Sequence, residues 1–255
     1  IAFKATNFFG EPKKVQGKII DAQNNTITSF KSKLQGCGYF NLKPKLDEKY
    51  FAILENGKKY ELPTVEDEGY SFSINNINDN TINIRIEATK KYINDEFYLL
   101  GHMYRDRFYQ GKFKLGKRPY INIEIPKTKL PTGVLVFSIL NNNKELKGER
   151  AVFVNNLKQL NINTKIKSKK DKITVSTKTF DSGNNATPSN LLISVLSEED
   201  KVKKDFSKNI TTYLNLESEI KGSIINPDLF LSDNKRATKS KADIIMLSHN
   251  CRKYN

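Results

Sequence analysis

The chain has 255 residues, of which 37% are hydrophobic and 28% are charged, and its formal net charge is +15 at pH 7. A chain of this length forms one large domain or two to three small ones, and no stretch approaches the roughly 18 apolar residues that a membrane-spanning helix needs. The charge alone would suggest a nucleic-acid-binding protein, but its composition and distribution argue against that class.

The basic residues are spread along the whole chain, and only seven of the 43 are arginine. Specific phosphate and base recognition relies on arginine and on clustered charge. We therefore predict no nucleic-acid partner. The two cysteines are far apart in sequence and form no Cys-x-x-Cys pair, so no zinc site, other metal site or cofactor is predicted. The first residues, IAFKATNFFG, have no leader pattern and read as a strand, which we interpret as a processed chain or a fragment.

Residues 1–64 are predicted to form an antiparallel β-sandwich that is incomplete at its N-terminus. Short alternating segments are separated by turn residues rich in Gly and Asn, and no helical periodicity is present. The predicted strands have the sequences KKVQGKIID, TITSFKS, YFNLKP, KYFAILEN and YELP.

Residues 65–157 are predicted to form a second sandwich of the immunoglobulin-like type, because seven segments in about 90 residues match that strand count. The three prolines Pro119, Pro126 and Pro131 fall at segment edges, where a missing N–H does least harm. The segments have the sequences YSFSINNI, TINIRIEAT, EFYLLGHMYRDRF, QGKFKL, YINIEIP, GVLVFSIL and ERAVFVNN.

Residues 158–255 are predicted to contain sandwich strands followed by a helical extension. The strand segments are LKQLNINTKIKS, DKITVSTKTF and NLLISVLSE. Apolar residues then recur near helical spacing in FSKNITTYLNLESEI, with Ser207 as a possible cap and Asn209 nearby, and again in NKRATKSKADIIMLSHNCRKY. The whole chain is thus expected to be mainly β, with tandem antiparallel sandwiches and a helical C-terminal extension.

Three stretches resemble a known family. The run KKVQGKIIDAQNNTITSFKSKLQGCGYFNLKPKLDEKYFA, the run PTGVLVFSILNNNKELKGERAVFVNN, and NITTYLNLESEIKGSIINPDLF followed by ADIIMLSHNCRKY occur in this order. Together they are similar to macroglobulin-like domains of cell-envelope proteins of Bacteroidetes, which carry a TonB-dependent receptor plug domain further along the chain. The resemblance implies that the sandwiches of residues 1–64 and 65–157 are macroglobulin-like. Cys251 stands where that family has a Trp, which puts any contact made by that Trp in doubt.

The resemblance implies a non-enzymatic structural or protein-interaction arm in the periplasm or outer membrane. Its partners would be outer-membrane or periplasmic proteins, and the membrane would be reached through those partners or through further parts of the chain. Two alternatives stay open, namely a glycan-binding or adhesin module and a protease-trapping macroglobulin-like fragment without a thioester.

Cys37 is the obvious candidate for a reactive residue, since thioester-bearing macroglobulins also place a Cys beside a Gly. Their thioester requires a Cys-Gly-Glu-Gln run, whereas here Tyr39 and Phe40 follow the Cys-Gly pair. A cysteine nucleophile would also need a His base, and the only histidines are His102 and His249. We therefore predict no catalytic residue, and we assign Gly36 and Gly38 to a turn or bulge that carries Cys37.

Two groups of side chains are candidates for binding. Tyr104, Phe108 and Tyr109 form an aromatic cluster in sequence that would suit a glycan platform. Lys167, Lys169 and Lys170 lie in the basic run KIKSKKDK, which would suit anionic lipopolysaccharide or phosphates, although a solvated hairpin explains the same run. Glu149 and Arg150 are adjacent on a strand and point to opposite faces, so they cannot form a catalytic pair.

Overall fold

The first sandwich is built around four buried side chains, Ile19, Phe30, Phe40 and Tyr50. The computed structural model describes residues 1–156, 160–193 and 207–249. Six strands contribute to this sandwich: β1 Ala2–Lys4, β2 Gln16–Ile20, β3 Thr26–Lys31, β4 Cys37–Tyr39, β5 Phe51–Leu54 and β6 Lys59–Glu61. Strands β1 and β4 form one antiparallel sheet, and the other four form a second sheet in the order β3-β2-β5-β6. Phe3 of β1 meets Phe30 edge-on at 5.2 Å between ring centroids.

The second sandwich has the seven strands predicted from the sequence. They are β7 Tyr70–Asn75, β8 Thr81–Ala88, β9 Glu96–Met103, β10 Asp106–Lys114, β11 Tyr120–Pro126, β12 Gly133–Asn141 and β13 Leu146–Val154. The sheets have the orders β11-β8-β7 and β10-β9-β12-β13, with all pairs antiparallel. A single core forms between them because alternate residues of each strand point inward, as Ile82, Ile84 and Ile86 do on β8.

Strand β12 is buried on both faces, which explains its nearly continuous apolar sequence GVLVFSIL. Leu135, Phe137 and Ile139 belong to the core of the second sandwich. Val134 and Val136 point the other way and belong to a separate core that includes the C-terminal helices. The C-terminal helices therefore pack on the face of this sheet that carries Val134 and Val136.

The region after residue 160 begins with a hairpin of β14 Asn161–Lys169 and β15 Lys172–Phe180, which pair only with each other among the described strands. The predicted strand at residues 190–198 has no regular structure over residues 190–193, and its remainder lies outside the described residues. In this region the described strands thus form a hairpin where a sandwich was expected. The division of the chain at residues 64 and 157 stays a prediction.

The described residues after the hairpin form three α-helices, α1 Ile210–Asn215, α2 Leu229–Ser232 and α3 Arg236–Ser248, with a short 3₁₀ turn at Glu217–Glu219. The N-terminus of α1 is capped by Asn209, whose side chain accepts from the backbone of Thr211 and Thr212, and not by Ser207. In the described part of the chain, no helix is long and apolar enough to cross a membrane.

The mainly β fold with a helical C-terminal segment is confirmed, and two local expectations are wrong. The segment YFNLKP contributes only Tyr39 to a strand, because β4 spans Cys37–Tyr39 and Phe40 turns inward as a core residue. The segment EFYLLGHMYRDRF divides between β9 and β10, since the chain reverses at Tyr104, whose φ is +52°, and QGKFKL belongs to the same strand β10, so the number of strands stays seven. A Tyr is a poor marker of a turn, so the reversal left no clear signal in the sequence.

Candidate functional site

The C-terminal helices pack onto both sandwiches through one shared core. Helix α3 contributes Ala242, Ile245 and Met246, which recur at three- and four-residue spacing and therefore lie on one face. The partners are Val134 and Val136 of β12, Ala151 and Phe153 of β13, Cys37 of β4, and Leu216, Ile220, Ile224, Phe230 and Leu231 of the C-terminal segment. This set, the shared core, joins elements more than 200 residues apart in sequence.

Cys37 enters the shared core from a tight turn. Gln35 and Gly36 both have positive φ, +48° and +75°, as in the type I′ turns that favour hairpins. The backbone of Leu34 and Cys37 closes the turn, with the Cys37 N–H donating to Leu34 O at 2.7 Å. The predicted turn is confirmed, and it places the Cys37 side chain out of solvent.

In this buried position the Cys37 thiol is a poor nucleophile. Burial raises the pKa of its thiol, while a hydrogen bond with Ser248 and the charge of Lys4 act in the opposite direction. His102 lies on β9, opposite Val136 and Arg107, as the strand-face histidine that the sequence predicts. Cys251 lies outside the described residues.

Polar contacts surround the shared core and fix its parts to each other. The Gln35 side chain both donates to Ile225 O at 2.7 Å and accepts from Ile225 N at 2.9 Å, which ties the turn of the first sandwich to the C-terminal segment. Lys239 of α3 binds Asp79 of the second sandwich. The helical segment is thereby attached to both sandwiches by polar bonds as well as by apolar packing.

The ion pair of Arg150 and Asp243 connects β13 to α3 at 2.7 Å, and Arg150 also donates to Ala151 O at 2.5 Å. The Arg150 side chain is only 10% exposed and that of Asp243 is 30% exposed. We expect Asp243→Ala to destabilise the protein by about 2 kcal/mol, because the guanidinium stays buried without its carboxylate.

A double-mutant cycle with Arg150→Met, measured by urea denaturation, should give a coupling energy of about 1–2 kcal/mol for this pair. The exposed pair of Lys147 and Glu145 is the matched control and should give a clearly smaller coupling energy, because solvent screens both charges. Equal coupling energies for the two pairs would contradict a stabilising role for Arg150.

His249 at the end of α3 meets Lys4 of β1. Its Nδ1 lies 3.0 Å from Ile245 O and its Nε2 lies 2.7 Å from the Lys4 ammonium. A carbonyl can only accept and an ammonium can only donate, so the geometry requires neutral imidazole with the proton on Nδ1. Burial, followed by the Lys4 charge, lowers the pKa of His249.

This contact predicts a pH-dependent stability. The unfolded chain takes up a proton at His249 near its ordinary pKa of about 6.5, whereas the folded chain does so only at lower pH. The stabilisation is therefore complete above that value and is lost as the pH falls through the folded pKa. Urea denaturation between pH 7.5 and 5 should show this decline, and His249→Gln should flatten it. An unchanged slope in the variant would show that other groups are responsible.

Lys127 is a second buried cation that the sequence did not reveal. It is 6% exposed, and its ammonium donates to Asn76 O at 3.0 Å and Asn78 O at 2.5 Å. Burial lowers the pKa of Lys127 to about 8. It borders a cavity of about 20 Å³ beneath α3, where Phe230 and Lys239 also lie. A lysine in a run such as PKTKL gives no sign of burial, because lysine is normally exposed.

The three predicted aromatic residues lie on the β9–β10 hairpin and in different surroundings. The Tyr104 hydroxyl donates to Leu214 O of α1. Tyr109 packs against the core of the second sandwich. Phe108 sits at the irregularity between Arg107 and Tyr109 and is 38% exposed. The three residues are close in sequence, but the Tyr104 hydroxyl already binds Leu214 O and the Tyr109 ring already packs against the core.

The three predicted lysines lie on the β14–β15 hairpin. Lys167 and Lys169 are on β14, opposite Thr174 and Lys172, and Lys170 is in the turn with a φ of +51°. All residues of β14 are exposed. The lysines and the aromatic residues therefore occupy separate hairpins, and their role in binding stays a prediction.

The described residues contain no group of three or more His, Cys, Asp or Glu side chains placed to hold a metal ion. Asp21 and Asp181 each accept hydrogen bonds from backbone N–H groups in their own loops. The pKa of Asp21 is lowered first by the Asn25 side chain and then by these backbone bonds, whereas the pKa of Asp181 is lowered first by the Asn185 backbone N–H and then by the Asn185 side chain. Their chemistry is that of Asx turns.

Comparisons with known proteins give little. No protein-family model matches the chain, and no curated protein matches it. Among solved structures, the chain is similar to the one described as the crystal structure of tetra-tandem repeat in extending region of large adhesion protein. The sequences are 12% identical, the TM-score is 0.35, and the match covers 68% of this chain and 54% of that one. The chain thus spans about half the length of that structure, and a TM-score this low does not establish a common fold.

Proposed function

We propose that this chain is a non-enzymatic structural and protein-interaction arm of a bacterial outer-membrane or periplasmic assembly. The sequence resemblance to macroglobulin-like domains of Bacteroidetes envelope proteins supports the location, and the tandem β-sandwich fold agrees with it. The partner would be an outer-membrane or periplasmic protein, and a TonB-dependent receptor plug domain elsewhere in the same protein is part of this proposal.

The observation that carries the proposal is the shared core. A chain that only linked two independent domains would need no apolar contacts between β4, β13 and α3. Here Cys37, Phe153 and Ile245 lie in one buried cluster, and ion pairs tie α3 to the second sandwich. Such packing holds the two sandwiches and α3 in a fixed relative orientation. A structural arm needs this rigidity to present its surfaces to a partner.

The outer strands of the sheets offer surfaces for such a partner. Strand β10 is the outermost strand of its sheet and spans nine residues, Asp106–Lys114, so one of its edges faces no other described strand. An extended segment of a partner would pair with such an edge through backbone hydrogen bonds. Arg107, Lys112 and Lys114 on β10 would select an acidic segment and disfavour pairing between copies of the chain.

The test is a pull-down from detergent-solubilised bacterial membranes after nuclease treatment, with the bound proteins identified by mass spectrometry. An unrelated β-sandwich of similar positive charge controls for electrostatic adsorption. We expect specific recovery of outer-membrane or periplasmic proteins. Recovery of cytosolic enzymes alone, or binding that nuclease treatment abolishes, would contradict the proposal.

A further inference from the structure

The β14–β15 hairpin has two faces of opposite character. Antiparallel register places Lys165, Lys167 and Lys169 opposite Ser176, Thr174 and Lys172, so these side chains share one face. The other face contains Ile162, Ile166, Ile173 and Val175. Ile166 and Val175 are directly opposite each other, and Ile173 is the diagonal neighbour of Ile166. Ile166, Ile173 and Val175 therefore form one continuous apolar patch, and Ile162 lies on the same face beyond Thr164.

This apolar patch is exposed. The exposed fractions are 56% for Ile162, 69% for Ile166, 66% for Ile173 and 44% for Val175. Single exposed apolar residues are ordinary, but a cluster of β-branched residues on one face of a ribbon marks a surface that is covered in use. A two-stranded hairpin is also only marginally stable in water by itself, so a surface that covers this face would stabilise it.

The charge of the hairpin selects the kind of surface. Between residues 161 and 180 there are six lysines, one aspartate, no glutamate and no arginine. A second copy covering the apolar face would bring together two chains that each carry a net charge of +15, and these would repel each other. Single-stranded nucleic acid would use aromatic side chains for stacking, and Phe180 is the one aromatic residue in this range. An anionic bilayer offers an apolar layer for the apolar patch and negatively charged phosphate groups for the lysines.

We propose that the β14–β15 hairpin docks on the surface of a bilayer that contains anionic phospholipids. The apolar patch enters the boundary between headgroups and acyl chains, as the apolar face of an interfacial amphipathic helix does. Lys165, Lys167 and Lys169 lie on β14, whose outer edge pairs with no other described strand, so their long stems can bend past this edge toward the phosphate groups of the lipids. This inference does not depend on the proposed protein partner, since the bilayer itself is the ligand.

The first experiment measures binding of the full chain to vesicles by co-sedimentation. We expect binding to vesicles with 30% phosphatidylglycerol in phosphatidylcholine, weaker binding at high salt, and none to phosphatidylcholine alone. Each lysine near an anionic surface contributes about a fivefold change in partitioning, so the triple variant Lys165→Gln, Lys167→Gln, Lys169→Gln should bind about a hundredfold more weakly. The matched control, Lys13→Gln, Lys14→Gln, Lys18→Gln, removes the same charge from the first sandwich and should lose less than about fivefold.

The second experiment determines which face enters the bilayer. The chain contains no tryptophan, so Ile173→Trp places a single fluorescent probe in the apolar patch and Thr174→Trp places one on the lysine face. Vesicles with phosphatidylglycerol should shift the emission of the first variant to the blue and leave the second nearly unchanged. Soluble glycerol phosphate at the same phosphate concentration should displace neither.

Four results would overturn the proposal. They are no binding to anionic vesicles at low salt, equal losses in the two triple-lysine variants, a shift that is absent for Ile173→Trp or equal for both tryptophan variants, and displacement by soluble glycerol phosphate. Dimerisation of the chain that Ile166→Ser abolishes, together with no vesicle binding, would assign the patch to a second copy instead. Because the vesicles contain no protein, failure here leaves the pull-down test of the proposed function unaffected.

Discussion

Replacing Ile245 by alanine should destabilise the fold by about 4 kcal/mol, near the upper part of the range for a fully buried Ile. Ile245 is 0% exposed and lies in the shared core between α3 and the two sandwiches. Its removal leaves a cavity where elements from distant parts of the sequence meet, and no local element can collapse to fill it. Urea denaturation followed by circular dichroism would measure the change.

The loss should appear first as release of α3, which the Cys37 thiol can report. In a Cys251→Ser background, Cys37 should react slowly with a thiol reagent because it is buried, and Ile245→Ala should speed the reaction by about a hundredfold or more, in proportion to the opened fraction. Ile210→Ala is the control, because Ile210 is 69% exposed and should alter neither quantity. Fast labelling of Cys37 before any substitution would contradict the described packing.

Replacing Gly36 by alanine should destabilise the first sandwich by about 3–4 kcal/mol, for two reasons that add. The backbone at Gly36 has a φ of +75°, which a residue with a Cβ adopts at a penalty of about 1 kcal/mol. A Cβ at this position would also lie 2.2 Å from Ala5 O. Ala5 O accepts from Lys13 N at 3.0 Å, so the backbone shift needed to relieve the clash would also break this hydrogen bond.

Two other glycines separate these reasons. Gly57 has a φ of +82°, and a Cβ added there would have no heavy atom within 4 Å, so Gly57→Ala should show only the conformational penalty of about 1 kcal/mol. Gly69 has an open position and no positive φ, so Gly69→Ala should be neutral or slightly stabilising. Thermal denaturation of the three variants gives the order, and equal effects at Gly36 and Gly57 would exclude the clash as a cause.

Alternation made most of the fold readable from the sequence. The segments TINIRIEA and YINIEI place Ile at every second position, and both are strands with one buried face. GVLVFSIL was also identified as a strand, but its continuous apolar character concealed a second buried face that receives α3. Alternation identifies a strand well because its one buried face places an apolar residue at every second position. A continuous apolar run shows that both faces are buried, but it does not tell which element covers the second face.

Contacts between distant elements could not be predicted from the residues. Lys4 and His249 are 245 positions apart, and neither belongs to a motif that requires the other. The partner of Arg150, Asp243, belongs to a helix whose position depends on the whole fold. Lys127 was missed because its burial results from the packing of α3 and not from any local pattern.

The aromatic candidates show a different limit. Tyr104, Phe108 and Tyr109 are close in sequence and read as one cluster, but the chain reverses at Tyr104 and has an irregularity at Phe108. A shift of one residue changes the face of a strand to which a side chain belongs. Among the candidate lysines, the regular pairing of β14 with β15 keeps Lys167 and Lys169 on one face, whereas Lys170 lies in the turn.

The shared core also bears on how this chain is made. The strands of both sandwiches have been synthesised once the ribosome has added Val154. Met246 is added roughly 90 residues later, which corresponds to about 5–20 seconds at ordinary ribosome speeds. For that interval Val136, Phe153 and Cys37 are without their covering helices. The nascent protein therefore exposes this apolar surface to solvent until α3 has been synthesised and covers it. We expect the interval before α3 packs to be the stage of folding that most needs a chaperone.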